Sequence, residues 1–89
     1  MTEETSLKKT LKDYLNIKHI FWWYCLAGMG AYPGVPDLFA MKEGMIYGIE
    51  VKSSKGHQSE MQKVFEERFR KSGGIYILAR SLEDVRNFL

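Results

Sequence analysis

The chain has 89 residues, of which 45% are hydrophobic and 27% charged, and its formal net charge is +2. This length and apolar content predict one domain, residues 1–89, with a single modest core. One cysteine, Cys25, excludes an intramolecular disulfide and is typical of a reducing compartment. The apolar run 19–26 is too short to span a bilayer, and the acidic start is unlike a signal peptide. We therefore expect a cytoplasmic protein without membrane attachment.

The first predicted element is a helix over residues 2–16. Its apolar stripe recurs at helical spacing and consists of Leu7, Leu11, Tyr14 and Leu15. Glu4 falls on the inward side of this helix, one turn before the first leucine, although an acid there also simply favours a helix N-terminus. The opposite, solvated face is predicted to carry Lys8, Lys9 and Lys12.

Residues 19–26 predict the first strand, because they are rich in aromatic and β-branched side chains. Trp22 and Trp23 must point to opposite faces of that strand. One therefore faces the core, and the other faces a second layer, a DNA groove or a partner. The loop 28–34 follows, with three glycines and Pro33. It lacks the GxGxxG pattern, which excludes a dinucleotide-binding fold.

Residues 37–41 and 45–52 predict an antiparallel hairpin with a short turn at 42–44. Side chains alternate along a strand, so Glu50 and Lys52 share one face. Pro36 fixes the backbone before Asp37, which the hairpin brings onto the neighbouring strand. One interpretation is an ordinary ion pair on an exposed strand face. The other is a hard-cation site made by Asp37 and Glu50 with Lys52 beside it.

The second half predicts a helix over 58–71, a buried strand over 75–79 and a last helix running from a Ser81 cap to residue 89. The apolar face of the first of these helices is expected to be Met61, Val64, Phe65 and Phe69. Gln62 lies at the border of that face, where it is either an ordinary boundary residue or an amide that reaches the site. Asp84 is placed to complete a capping box with Ser81. The order αβββαβα predicts a mixed sheet with helices on both sides.

These residues resemble the PD-(D/E)xK nuclease superfamily in its Pro36-Asp37 and Glu50-Val51-Lys52 motif. The closer resemblance is to small stand-alone VRR-NUC nucleases of phage and bacterial type, and it covers nearly the whole chain. Segment 34–38, GVPDL, is similar to that family's strand entry. Segment 59–65, SEMQKVF, is similar to the family's second helix, and the later segment Ser72-Gly73-Gly74 is similar to the double glycine that ends that helix. Segment 81–85, SLEDV, is similar to the family's last helix.

The resemblance implies the αβββαβ restriction-endonuclease-like core and a site that holds Mg²⁺ or Mn²⁺. The implied metal ligands are Asp37, Glu50, the carbonyl of Val51 and, on the first helix, Glu4. The implied catalytic residues are Asp37, Glu50, Lys52 and Gln62. Lys52 would orient water and stabilise developing charge. No Cys/His cluster accompanies them, so a zinc site is not expected.

The function expected from this resemblance is a metal-dependent DNA endonuclease in a bacterium or a phage-infected cell. One such site cuts one strand, so we expect a homodimer that prefers branched DNA, in the manner of a Holliday-junction resolvase. The tryptophan not used in the core would supply apolar surface for that dimer. The alternatives are a monomeric nuclease of flaps or single strands, a DNA-binding module without catalysis, and a small interaction protein.

Overall fold

The computed structural model describes residues 2–26 and 31–89, so the first part of the predicted glycine loop lies outside the described residues. Seven elements follow in the predicted order. They are α1 (Glu3–Ile17), β1 (Phe21–Tyr24), β2 (Leu38–Lys42), β3 (Met45–Val51), α2 (Glu60–Lys71), β4 (Ile75–Ala79) and α3 (Leu82–Arg86).

The four strands form one mixed sheet in the order β1-β2-β3-β4. Strands β1, β2 and β3 are antiparallel neighbours, and β4 lies parallel to β3. A parallel pair needs a crossover connection, which α2 provides. The predicted hairpin is confirmed. It turns through Glu43 and Gly44, whose φ angles are 53° and 81°, as a tight two-residue hairpin loop requires.

Helices α1 and α3 cover one face of the sheet and build the main core. This core contains Leu11 and Leu15 of α1, Val85 of α3 and the alternate residues of the strands, including Ile49 and Val51. The opposite face is covered by α2 through a cluster of aromatic rings. Its members are Phe39, Phe65, Phe69 and Tyr76. Glu50 belongs to this second face, because it alternates with Ile49 and Val51 along β3.

The two tryptophans point to opposite faces, as predicted. Trp22 packs on the α1 side, where its indole N–H donates to Asn16 Oδ1 at 2.7 Å. Trp23 joins the aromatic face beside Phe39, with ring centroids 5.6 Å apart. Both are half-buried, and Trp23 therefore faces the second layer formed by α2, one of the three surroundings expected for the outward tryptophan. The exposed aromatic residue at the start of β1 is Phe21, which is 67% exposed.

Two predicted details of the helices are wrong. Met61 and Val64 of α2 are each 52% exposed, because this helix contacts the sheet mainly through Phe65 and Phe69. Ser81 makes no side-chain capping bond at α3. Asp84 instead accepts a hydrogen bond from the backbone N–H of Arg80 at 2.8 Å, which gives that N–H group a partner just before the helix begins. No helix of the described residues is long and apolar enough to cross a membrane.

Candidate active site

Glu50 lies near the end of β3 and is 3% exposed. Its Oε2 atom accepts a hydrogen bond from Gln62 Nε2 at 3.0 Å and lies 3.4 Å from Lys52 Nζ. Its Oε1 atom is buried without a hydrogen-bond partner. A buried carboxylate oxygen without a donor is destabilising unless a cation or substrate completes its surroundings. Glu50 therefore has the environment of a ligand rather than of a surface ion pair.

Asp37 immediately precedes β2, one residue beyond the cross-strand pair of Leu38 and Ile49. This register brings it beside Glu50 on the neighbouring strand. Its Oδ2 atom accepts a hydrogen bond from the Val51 backbone N–H at 2.7 Å. Its Oδ1 atom lies 3.3 Å from the Nζ atom of Lys8 on α1. One oxygen of the Asp37 side chain is thus held by a backbone N–H group, and the other is paired with a lysine side chain that a metal ion could displace.

The electrostatics of this pair explain why Lys52 is close. Burial and, after it, the neighbouring Asp37 raise the pKa of Glu50 to about 7, although Lys52 opposes both effects. Each of the two neighbouring carboxylates has a lysine beside it, Lys52 at Glu50 and Lys8 at Asp37. A divalent cation bound to both would favour the ionised form of each.

Gln62 is positioned by the capping of α2. Its side-chain oxygen accepts from the Ser59 backbone N–H at 2.9 Å, and the Ser59 hydroxyl accepts from the Gln62 N–H at 3.2 Å. This capping box directs the remaining Nε2 group to Glu50. The packing of Gly34 brings the preceding loop against this turn, since a Cβ atom there would overlap the Met61 carbonyl.

The segment that follows Lys52 is held from two sides. The Arg80 Nη1 group donates to the carbonyls of Ser53 at 2.6 Å and Gly56 at 2.8 Å. Glu3 of α1 accepts from the Ser54 backbone N–H at 2.6 Å. Neither Arg80 nor Glu3 was singled out from the sequence, and no local pattern marks them, because both contacts join distant segments. They fix the backbone from which Lys52 projects.

The predicted solvated face of α1 is wrong for Lys8, which is half-buried and contacts Asp37. The periodicity contains this signal. At about 100° per residue, Lys8 falls about 20° from Leu15, within the inward stripe rather than opposite it. Glu4 is half-buried on the same helix. Within residues 2–26 and 31–89 no three His, Cys, Asp or Glu side chains gather to hold a metal, so Glu4 does not join Asp37 and Glu50 there.

The structure therefore brings together Asp37, Glu50, Lys52 and Gln62. Val51 joins them because its backbone N–H donates to Asp37, and Lys8 of α1 joins them through its contact with Asp37. Neither the protein-family models nor the curated proteins contain a match to the chain. Among solved structures, one described as a VRR_NUC domain superposes with a TM-score of 0.81 at 27% sequence identity. The superposition covers 98% of this chain and 94% of that one.

Proposed function

As the chain is a VRR-NUC domain protein with the restriction-endonuclease-like fold, we propose that it is a nuclease that hydrolyses phosphodiester bonds of DNA with bound Mg²⁺ or Mn²⁺. One observation carries the proposal. The buried Glu50 has an unpartnered oxygen, lies beside Asp37, and has Lys52 and Gln62 on its other oxygen. These contacts support two carboxylate ligands for a metal ion, with an ammonium and an amide group beside them, rather than residues that only pack against one another.

The donor set fits a hard divalent cation, which prefers oxygen ligands. Glu50 offers its free Oε1 atom, and Asp37 offers the Oδ1 atom that now faces Lys8. The carbonyl of Val51 is the third proposed ligand, at the residue whose N–H already holds Asp37. Glu4 remains a predicted ligand that would need α1 or its side chain to move closer.

When bound, the metal polarises the scissile phosphate and acidifies a water molecule. The chain's own residues supply the rest. Lys52 is only 15% exposed, so its ammonium acts in a poorly screened position and stabilises the charge that develops on the phosphoryl oxygens. Gln62 positions water or substrate with an amide whose orientation is fixed by the α2 cap.

The finer specificity proposed is for branched DNA, cut by a homodimer. One Asp37–Glu50–Lys52 set serves one scissile phosphate, so concerted cleavage of two strands needs two copies. Strand β1 lies at the edge of the sheet. The exposed residues Phe21 and Met41 are cross-strand partners at the end of β1 that is farther from Asp37. A second copy docked there would leave both sites open. A monomer that cuts flaps or single strands is the alternative.

The test is DNA cleavage with Mg²⁺ or Mn²⁺ by the wild type and by Asp37→Asn and Glu50→Gln, together with calorimetric titration of Mn²⁺ alone. Each substitution keeps size but removes an anionic ligand, so we expect cleavage to be abolished and Mn²⁺ affinity to fall. Glu67→Gln is the matched control, because Glu67 pairs with Lys71 on the exposed side of α2.

Near wild-type cleavage by either site variant would overturn the proposed ligand set. Wild-type DNA binding without any cleavage, in either metal, would instead assign the chain as a binding module that retains the fold.

A further inference from the structure

A groove of about 420 Å³ lies between α1 and the end of β1, next to the candidate active site. Its α1 wall is lined by Thr5, Lys8, Lys9 and Lys12, and its other wall by Tyr24, Cys25 and Leu26. Asp37 is also one of its lining residues. The groove therefore opens directly onto a residue proposed to hold the metal.

The two walls differ in chemistry. Three lysines line the α1 wall. Lys8 is paired with Asp37, the one acid among the described lining residues, at 3.3 Å, and Lys9 is paired with Asp13 of the same helix at 3.2 Å, which leaves Lys12 as the lysine without a carboxylate partner among the described residues. On the other wall, Tyr24 and Leu26 are exposed, and the Tyr24 ring is fixed edge-on against Trp22 at 4.9 Å. A basic wall facing an aromatic platform suits a phosphate backbone that carries unpaired bases.

We propose that this groove binds the unpaired stretch of DNA strand that adjoins the scissile phosphate. Lys8 and Lys12 contact successive phosphates, and Tyr24 stacks on a base. This inference rests on the proposed nuclease function and adds a single-strand subsite to it. A flap has unpaired nucleotides next to its branch point, so the subsite also supplies a reason for selectivity towards that DNA structure.

The geometry of α1 supports the assignment of the two lysines. Lys8 and Lys12 are four residues apart and therefore lie on one side of the helix, separated by about 6 Å along its axis. That separation is comparable to the distance between successive phosphates of an extended strand. Lys8 lies nearest the site, since it contacts Asp37, so its phosphate is the one next to the scissile bond.

The size of the groove favours one strand over two. Its volume is that of a small-molecule pocket, which accommodates an unpaired nucleotide but not a base pair. Duplex DNA could contact the same lysines, but its bases are stacked inside the double helix and would not stack on Tyr24. The groove should therefore contribute to single-strand affinity and contribute little to the affinity for blunt duplex.

The first experiment measures DNA affinity by fluorescence anisotropy in EDTA, where no cleavage occurs. Tyr24→Ala should weaken single-strand binding by about tenfold, since a stacked base contributes about 1–3 kcal/mol. Tyr24→Phe should restore it, because a phenyl ring also stacks. Lys12→Ala should reduce the slope of log affinity against log salt by about 0.7 for single strands. Blunt duplex affinity should change little in the tyrosine variants.

Lys71→Ala is the matched charge control, because Lys71 is an exposed lysine at the far end of α2 from Gln62. It should leave single-strand affinity unchanged. Circular dichroism of each variant reports whether the fold persists.

A second readout uses the chain's single cysteine, which lines the groove. Bound single-stranded DNA should slow alkylation of Cys25 in the wild type, and an equal concentration of inorganic phosphate should not. The protection should be lost in Tyr24→Ala and kept in Lys71→Ala.

The outcomes separate the two proposals. The single-strand subsite is overturned if the wild type cleaves DNA, if Tyr24→Ala and Lys12→Ala bind single strands as tightly as the wild type, and if bound DNA does not protect Cys25. The nuclease assignment would then still stand. A wild type that neither binds nor cleaves DNA would overturn both.

Discussion

The two oxygens of Glu50 have different surroundings, and this difference determines how the residue should respond to pH. Oε2 has Gln62 and Lys52 as partners, whereas Oε1 has none. Because burial and Asp37 raise the pKa of Glu50 from 4.5 to about 7, the folded chain holds a proton that the unfolded chain loses. Stability from this proton is complete below pH 4.5 and is lost as pH rises through about 7.

We therefore predict that the metal-free protein loses stability between about pH 4.5 and pH 7 and that Glu50→Gln largely removes this loss. Above about pH 7 in EDTA, the variant should be more stable than the wild type by on the order of 2–3 kcal/mol, because a neutral amide has no charge to bury. Urea unfolding at a series of pH values measures both effects. Parallel pH profiles for the two proteins would show that Glu50 is not the titrating group.

Lys52 should behave differently from a DNA-docking lysine. Its ammonium lies 3.4 Å from Glu50 and is largely buried, so its charge is placed for the reacting phosphate rather than for the DNA surface. We predict that Lys52→Ala lowers the single-turnover cleavage rate by about 10²–10³ while DNA affinity changes little. Lys55→Ala, four residues beyond the end of β3 on an exposed loop, is the control. A large loss of affinity with an unchanged rate would make Lys52 a docking residue.

The placement of Glu50 and Lys52 on one face could be predicted from the sequence, because strand alternation is a local rule with a period of two. Lys8 could also have been placed from helical periodicity, since it lies beside Leu15 on the helical wheel. Arg80 and Glu3 could not be found in this way. Their contacts to Ser53, Gly56 and Ser54 depend on how distant elements pack, and no local period reports that.

The position of α2 along the sheet is fixed by contacts of its first turn rather than by its apolar face. Gly34 has φ +78° and packs directly on the Met61 carbonyl in the first turn of the helix. This contact and the Ser59–Gln62 capping box fix where Gln62 emerges. The predicted apolar stripe gave only the rotation of the helix. It could not show that two aromatic residues, Phe65 and Phe69, carry most of the contact.

We therefore predict that Gly34→Ala impairs both stability and cleavage. The added methyl group meets backbone that cannot rotate away, and φ > 0 is unfavourable for alanine, so the loss of stability should exceed about 2 kcal/mol. Gly44→Ala is a close control, because Gly44 also has positive φ, 81°, but has nothing within 4 Å of a Cβ atom. It should lose only about 1 kcal/mol and no activity.

Thermal unfolding and single-turnover cleavage of the two glycine variants decide the matter. Equal loss of stability in both would mean that backbone strain alone matters. In that case the contact between Gly34 and Met61 would have no special part in placing Gln62.

At the scale of the whole molecule, the order of elements and the mixed sheet could be predicted, since each element has a clear period and the turns are marked by glycine and proline. The exposed surface could not. Both tryptophans are half-buried, and exposure passes instead to Phe21, at the start of the edge strand β1. Which aromatic residue of an apolar strand stays exposed depends on how the helices pack against the sheet, and the strand's own sequence does not contain that information.

We predict from this surface that the active form is a dimer joined at the Phe21 end of β1. Phe21 is 67% exposed, and its cross-strand partner Met41 on β2 is 39% exposed, so together they form an apolar patch across the edge strand β1 and its neighbour. Such an edge favours association with a second copy. A two-fold axis there would carry two sites for the two strands of a symmetric junction.

Sedimentation at micromolar concentration should give a dimer for the wild type and a monomer for Phe21→Glu. Val64→Glu, which adds the same charge at a half-exposed apolar position on α2, should stay dimeric. The monomeric variant should lose preference for a mobile four-way junction over linear duplex of equal length but still cut a single-stranded flap, because each copy keeps its own Asp37, Glu50 and Lys52. A monomeric wild type that cuts junction and duplex equally would rule out the dimer and leave a nuclease that acts alone.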